Sequence, residues 1–163
     1  MDEIHVIGGK CLHGNITVQG SKNTVLPLMA GALLYRGINV LKACPRITDV
    51  FYMEEILRAL GAETWWEDHD LYLDCTHADG SHVPEIYSGR MRSSIILLGP
   101  ILARNQQAEI GYPGGCVIGK RPVDLHLYVL RRFGAEIKEE EKKITVSCKK
   151  LCGTEIVFSK RSV

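Results

Sequence analysis

Hydrophobic and polar positions along this 163-residue chain switch between a helical and an alternating period. From Asn23 to Arg36 the apolar residues Val25, Leu26, Leu28, Met29, Ala32 and Leu33 recur at helical spacing and predict a largely buried helix. Asn23 is its expected cap and Gly37 its expected stop. Residues 39–43 read as a strand, and Thr48 then caps a helix running through Leu60 and closed by Gly61. Residues 63–67 and 70–75 alternate as a hairpin, with Glu67-Asp68-His69-Asp70 at the turn. Ahead of all this, residues 4–7 and 16–18 read as short strands around Gly8-Gly9.

The pattern then starts again. Leu60-Gly61-Ala62-Glu63 is echoed by Phe133-Gly134-Ala135-Glu136, an offset of 73 that also carries Cys75 onto Cys148 and Val50 onto Val123. Earlier in the unit the offset is 68, carrying Leu34 onto Leu102 and Arg36 onto Arg104. The five-residue difference is expected between strand and second helix, so the second unit is the first with a loop inserted. Insertions of that kind more often serve function than packing. Each unit reads helix, strand, helix, hairpin, an α/β piece that cannot bury its sheet alone.

The inserted loop is Pro113-Gly114-Gly115-Cys116-Val117-Ile118-Gly119-Lys120-Arg121-Pro122-Val123-Asp124. Its glycines allow close backbone approach to a ligand. Lys120 and Arg121 favour the thiolate of Cys116 and attract an anion, and Pro122 suits a helix start whose amides add to that attraction. On the residues alone two readings stand, a reactive thiol beside an anion pocket and a glycine-rich surface turn with an incidental cysteine. A P-loop is excluded because Arg121 stands where the magnesium-binding hydroxyl belongs, and no G-x-G-x-x-G occurs. Lys22 and Asn23 stand at one helix mouth, and the 68 offset puts Arg90 and Met91 at the matching place, with Arg92 just beyond. Cations there oppose the helix dipole unless an anion binds.

Composition changes little in this picture. A hydrophobic fraction of 45%, a charged fraction of 24% and a net charge of +1 describe an ordinary globular chain with no bulk charge for nucleic acid. No apolar run spans a membrane and no signal-peptide pattern opens the chain, so a cytoplasmic protein is expected. The cysteines at 11, 44, 75, 116, 148 and 152 show no zinc spacing and read as reduced thiols, Cys116 standing apart by its neighbours. The histidines show no ligand spacing either, and His126, between two leucines, reads as structural. Trp65-Trp66 reads as strand packing.

Gly89-Arg90-Met91-Arg92-Ser93-Ser94, Leu97-Leu98-Gly99-Pro100, Pro113-Gly114-Gly115-Cys116 and Arg121-Pro122-Val123-Asp124-Leu125-His126, with Gly20-Ser21-Lys22-Asn23-Thr24 upstream, closely resemble UDP-N-acetylglucosamine 1-carboxyvinyltransferases. The resemblance runs in order over the whole chain. It implies an enolpyruvyl-transferase-type, inside-out α/β domain of repeated units, here a truncated one. Residues 1–21 would belong to the family's second domain and 22–163 to its first, with two of three repeat units, 22–90 and 91–161. An apolar face left unpaired would favour self-association.

The same resemblance implies transfer of enolpyruvyl from phosphoenolpyruvate to the 3-hydroxyl of UDP-N-acetylglucosamine, the first committed step of peptidoglycan synthesis. It implies no cofactor, metal, nucleic-acid or membrane partner. Cys116 matches the catalytic thiol, which protonates the methylene carbon, can form a covalent adduct, and is alkylated by fosfomycin. Lys22 and Arg121 match the phosphoenolpyruvate-binding cations, and Asn23 and Arg92 match residues that help hold both substrates. Pro122, Val123, Asp124 and Leu125 match the uridine-contacting segment, and Lys160, Ser162 and Val163 later nucleotide contacts, with the family pattern altered at Arg161. A carboxylate base and another arginine come from the family's second domain, so the 163 residues by themselves are expected to turn over negligibly. Two other readings remain: a sister enzyme acting on shikimate 3-phosphate, and a non-catalytic anion- or nucleotide-binding module with a redox-sensitive thiol.

Overall fold

A computed structural model describes residues 3–114 and 123–158 of the chain. The first unit runs α1 (Lys22–Ala32), β1 (Ile38–Leu41), α2 (Thr48–Ala59), β2 (Glu63–Glu67) and β3 (Asp70–Asp74). A connecting piece holds β4 (His82–Val83), the short α3 (Glu85–Ser88) and a 3-10 helix (Arg92–Leu97). The second unit follows as α4 (Leu98–Asn105), β5 (Gln107–Gly111), α5 (Asp124–Arg132), β6 (Glu136–Glu139) and β7 (Lys143–Ser147).

Two sheets form among the described residues, in the orders β1-β3-β2 and β4-β5-β7-β6. All pairings are antiparallel except β4 with β5. The hairpin registers superpose at the expected offset, since Glu63 pairs with Asp74 and Glu136 with Ser147, each 73 residues on. The first strand of each unit, β1 and β5, is offset by 69, with Ile38 opposite Asp74 and Gln107 opposite Ser147. One residue of the insertion is therefore taken up between α4 and β5, where Gln106 turns left-handed at φ 62°. The other four lie between β5 and α5.

Helices and the inner sheet faces enclose one core, with Met29, Met53, Leu71, Leu97, Leu102 and Ile144 fully buried. Burying each such side chain is worth roughly 1.5–3 kcal/mol. The two units are tied by Arg104, whose side chain is 4% exposed. Its guanidinium donates to the carbonyls of Leu33 (2.8 Å), Cys75 (2.6 Å) and Thr76 (3.1 Å) and to Asp79 Oδ1 (3.1 Å). Arg36, its counterpart at the 68 offset, reaches the same Asp79 carboxylate at 2.8 Å. Both arginines hold the Asp79 carboxyl below its ordinary range by hydrogen bonding. The buried Glu54 is satisfied similarly, accepting from Arg58 (2.8 Å), Thr64 (2.9 Å) and Trp66 Nε1 (3.1 Å).

Three expectations need correction. Residues 4–7 and 16–18 form no strand, and Ile7 is 96% exposed. A strand needs a partner for its backbone groups, and none of the described residues pairs with this segment. The first helix ends at Ala32, well before Arg36, because the bonds from Leu33, Leu34 and Tyr35 tighten to the three-residue spacing. The Leu33 carbonyl released there is one that Arg104 takes. The caps also shift, with Ser21 preceding α1 and Ile47 preceding α2, neither making a side-chain capping bond. Asn23 and Thr48 lie inside their helices. No helix among the described residues is long and apolar enough to cross a membrane.

Candidate functional site

The N-terminal turn of α1, the start of the 3-10 helix and one face of α5 border a cavity of about 440 Å³. Lys22 and Asn23 come from α1, Asp49 from the first turn of α2, Arg90 to Ser93 from the connecting piece, and His126 from α5. Leu26, Pro27, Ile95 and Ile96 supply apolar wall. Pro27 has no N–H, so it cannot donate to the Asn23 carbonyl one turn earlier.

Cations dominate this lining. Lys22 Nζ is paired with Asp49 Oδ2, the two side chains being 53% and 28% exposed. Arg90 sits over the Tyr52 ring, 5.7 Å from its centroid. Arg92 makes no ion pair among the described residues. His126 stands near Arg92 on the exposed side of α5. Its pKa is pushed below the ordinary 6.5 by desolvation first, then by the Arg92 charge, with Asp124 opposing. The imidazole is accordingly biased toward its neutral form. Three positive groups against one carboxylate make a pocket suited to a multiply charged anion.

One end of the inserted loop packs beside a neighbour of the lining residue Arg90, and the other precedes the helix that carries the lining residue His126. Gly114 donates to the Ser88 carbonyl at 3.1 Å, and a Cβ on Gly114 would lie 1.9 Å from the Gly89 carbonyl oxygen, next to the lining residue Arg90. Only glycine fits that approach. At the other end Val123 precedes α5, its carbonyl accepting from the amides of His126 (3.0 Å) and Leu127 (3.2 Å).

Of the residues expected at a site, the structure brings together Lys22, Asn23 and Arg92. Val123 and Leu125 are half-buried and Asp124 exposed, and none of the three lines this cavity. Cys116, Lys120, Arg121 and Pro122, and likewise Lys160, Ser162 and Val163, lie outside the described residues. The sequence reading missed Asp49 and His126. Asp49 gives no signal beyond an acid in a first helical turn, whereas His126 adjoins the Arg121-to-Leu125 motif and could have been found by proximity to it. Arg90 was visible as the repeat counterpart of Lys22. Among the described residues no group of His, Cys, Asp and Glu gathers as metal ligands.

Known proteins resemble this chain over its whole length. The chain is 40% identical over 163 residues to UDP-N-acetylglucosamine 1-carboxyvinyltransferase 2 of Caldanaerobacter subterraneus, covering all of this chain and 39% of that protein. It is 39% identical over 165 residues to UDP-N-acetylglucosamine 1-carboxyvinyltransferase of Helicobacter pylori, again covering all of this chain and 39% of the relative. The chain thus spans about two-fifths of the length of these curated relatives. Among solved structures, the enolpyruvyl transferase NikO from Streptomyces tendae superposes with a TM-score of 0.75 at 24% identity, over 88% of this chain and 32% of that one. EPSP synthase from Acinetobacter baumannii superposes with a TM-score of 0.68 at 18% identity, over 91% and 35%. The expected enolpyruvyl-transferase fold is therefore the observed one. A family model described as EPSP synthase (3-phosphoshikimate 1-carboxyvinyltransferase) matches residues 6–163, and the chain belongs to that family.

Proposed function

We propose that this chain is part of an enzyme transferring the enolpyruvyl group of phosphoenolpyruvate to the 3-hydroxyl of UDP-N-acetylglucosamine, in peptidoglycan synthesis. The observation that carries the reading is the convergence of Lys22, Asn23, Arg90 and Arg92 on one cavity, with Gly114 at the start of the Cys116 loop packed against Gly89, next to Arg90. The curated relatives named for this substrate, at 39–40% identity, support it over the shikimate 3-phosphate reading.

In this reading Lys22, Arg92 and Arg121 neutralise the phosphate and carboxylate, and Asn23 helps place the acceptor. The acceptor oxygen bonds the phosphate-bearing carbon while Cys116 protonates the methylene carbon, giving a tetrahedral intermediate. Loss of a proton from the new methyl group then expels phosphate and restores the double bond. Neighbouring cations favour the Cys116 thiolate, and the charge of bound phosphoenolpyruvate returns the proton the step requires. Pro122, Val123, Asp124 and Leu125, with Lys160, Ser162 and Val163, hold the nucleotide. Residues 22–163 contribute to one domain, as units 22–90 and 91–161, and residues 1–21 pair with the other. The base that accepts the hydroxyl proton belongs to that other domain, so this chain on its own binds substrate without turning it over.

Peptide mass analysis after fosfomycin treatment, combined with calorimetry, tests the reading. The expected result is an adduct on Cys116, blocked by phosphoenolpyruvate, together with binding of UDP-N-acetylglucosamine and not shikimate 3-phosphate. Equal labelling of the exposed Cys11 and Cys152, or preference for shikimate 3-phosphate, would contradict it.

A further inference from the structure

The outward faces of the two sheets, built on one register, carry opposite chemistry. On the first sheet Val40, Tyr72 and Trp65 lie opposite one another across β1, β3 and β2. The Trp65 and Tyr72 rings stack at 5.1 Å with 15° between their planes. Val40 and Trp65 remain 41% and 36% exposed, with Ile38 beside them at 54%. In the second sheet the corresponding row is Glu109, Thr145 and Lys138. There Lys143 pairs with Glu109 at 3.0 Å and Lys138 with Glu140 at 2.7 Å. The fold thus does not require an aromatic row at these positions, because its own repeat fills them with polar residues.

Carboxylates flank the aromatic row on both sides. Asp74 and Glu63 pair on one side of it and Asp70 and Glu67 on the other. Their hydrogen bonds come from neutral groups of the chain: Thr76 to Asp74 (2.9 and 2.6 Å), the Ala43 amide to Asp70 (2.9 Å), and Trp65 Nε1 to Glu67 (3.4 Å). None of the four carboxylates makes an ion pair among the described residues. Of the nearby cations, Arg46 is already engaged over the Trp66 ring at 4.7 Å and on the Asp68 carbonyl at 2.8 Å, and Lys42 stands exposed beyond the end of β1.

We propose that this face docks a basic, extended segment of a partner protein, its lysine or arginine stems lying on the Trp65–Tyr72 shelf and their charges meeting the carboxylate rim. Aromatic faces attract cations, long basic side chains cover apolar surface with their stems, and four uncompensated carboxylates select against an acidic partner. A second copy of the chain fits less well, since the lysines on its other outward sheet face, Lys138 and Lys143, are already paired. The cavity at Lys22 and Arg92 is not involved, so failure of one proposal leaves the other standing.

The probe is a capped, fluorescein-labelled octapeptide alternating lysine and leucine, followed by anisotropy against this chain at 50 and 300 mM salt. Binding is expected at low salt and should weaken about tenfold at the higher salt, where screening shortens to within a few ångströms of contact. The double variant Trp65→Lys, Tyr72→Thr installs the residues its own repeat tolerates, and should weaken binding at least tenfold with an unchanged circular dichroism spectrum. Glu63→Gln with Glu67→Gln should lower affinity and flatten the salt dependence. Undiminished binding by the Trp65/Tyr72 variant, equal binding of an alternating glutamate–leucine peptide, or a wild-type dimer in sedimentation that the variant abolishes would each overturn the proposal.

Discussion

Gly61 and Gly134, separated by 73 residues, close equivalent helices in the same left-handed conformation, at φ 98° and 93°. The bonds around them match as well. Ala62 donates to the Leu57 carbonyl at 2.9 Å and Ala135 to the Leu130 carbonyl at 3.0 Å. Their surroundings differ. A Cβ on Gly61 would meet the His77 carbonyl oxygen at 2.7 Å, whereas one on Gly134 meets nothing closer than the Lys150 carbonyl oxygen at 3.9 Å.

The two alanine variants should therefore separate in urea denaturation. Gly134→Ala carries only the left-handed backbone penalty, about 1 kcal/mol. Gly61→Ala adds a backbone clash and should lose about 2–4 kcal/mol. Equal midpoints would show that the two helix ends are not packed as described.

Asp49 restrains the cation best placed to meet an anionic ligand, Lys22. The pair is partly exposed, so Asp49→Asn should change stability by only about 0.5 kcal/mol. It should raise affinity for inorganic phosphate roughly twofold to fivefold, since a competing charge is removed. Lys22→Ala should lower that affinity by about tenfold. Calorimetry with phosphate reads both, and a fall in affinity with Asp49→Asn would mean that the carboxylate positions Lys22 more than it competes.

His126 supplies a pH signature. Its pKa lies below the ordinary 6.5, so the folded chain binds that proton less readily than the unfolded chain. Stability from the neutral ring is in place above pH 6.5 and is lost as pH falls toward the lower folded value. NMR titration of the ring should show the depressed pKa, Arg92→Ala should move it upward, and bound phosphate should move it upward as well. An unshifted pKa in Arg92→Ala, with desolvation accounting for all of the depression, would remove Arg92 from the cavity's electrostatics.

Local chemistry made much of this architecture legible. The hairpin turn at Asp68, the glycine stops at Gly61 and Gly134, and the repeat that links them were written within a few residues of chain. The two N-terminal segments were misread because alternation specifies a face and not a partner, and pairing is a property of the whole fold. Lys22, Asn23 and Arg92 were found because cations at helix starts are conspicuous. His126 was set aside because its flanking leucines suggested a core position. On the helix those leucines turn away from the cavity, a relation visible only once α5 is placed beside α1 and the 3-10 helix.

The most direct test of the account is a two-dimensional amide and imidazole NMR titration of this chain with phosphoenolpyruvate and UDP-N-acetylglucosamine. The account predicts saturable shifts at Lys22, Asn23, Arg92 and His126, with Trp65 and Tyr72 on the outer sheet unmoved. Shifts confined to any other surface, or none at millimolar ligand, would contradict the assignment of that cavity as the substrate site.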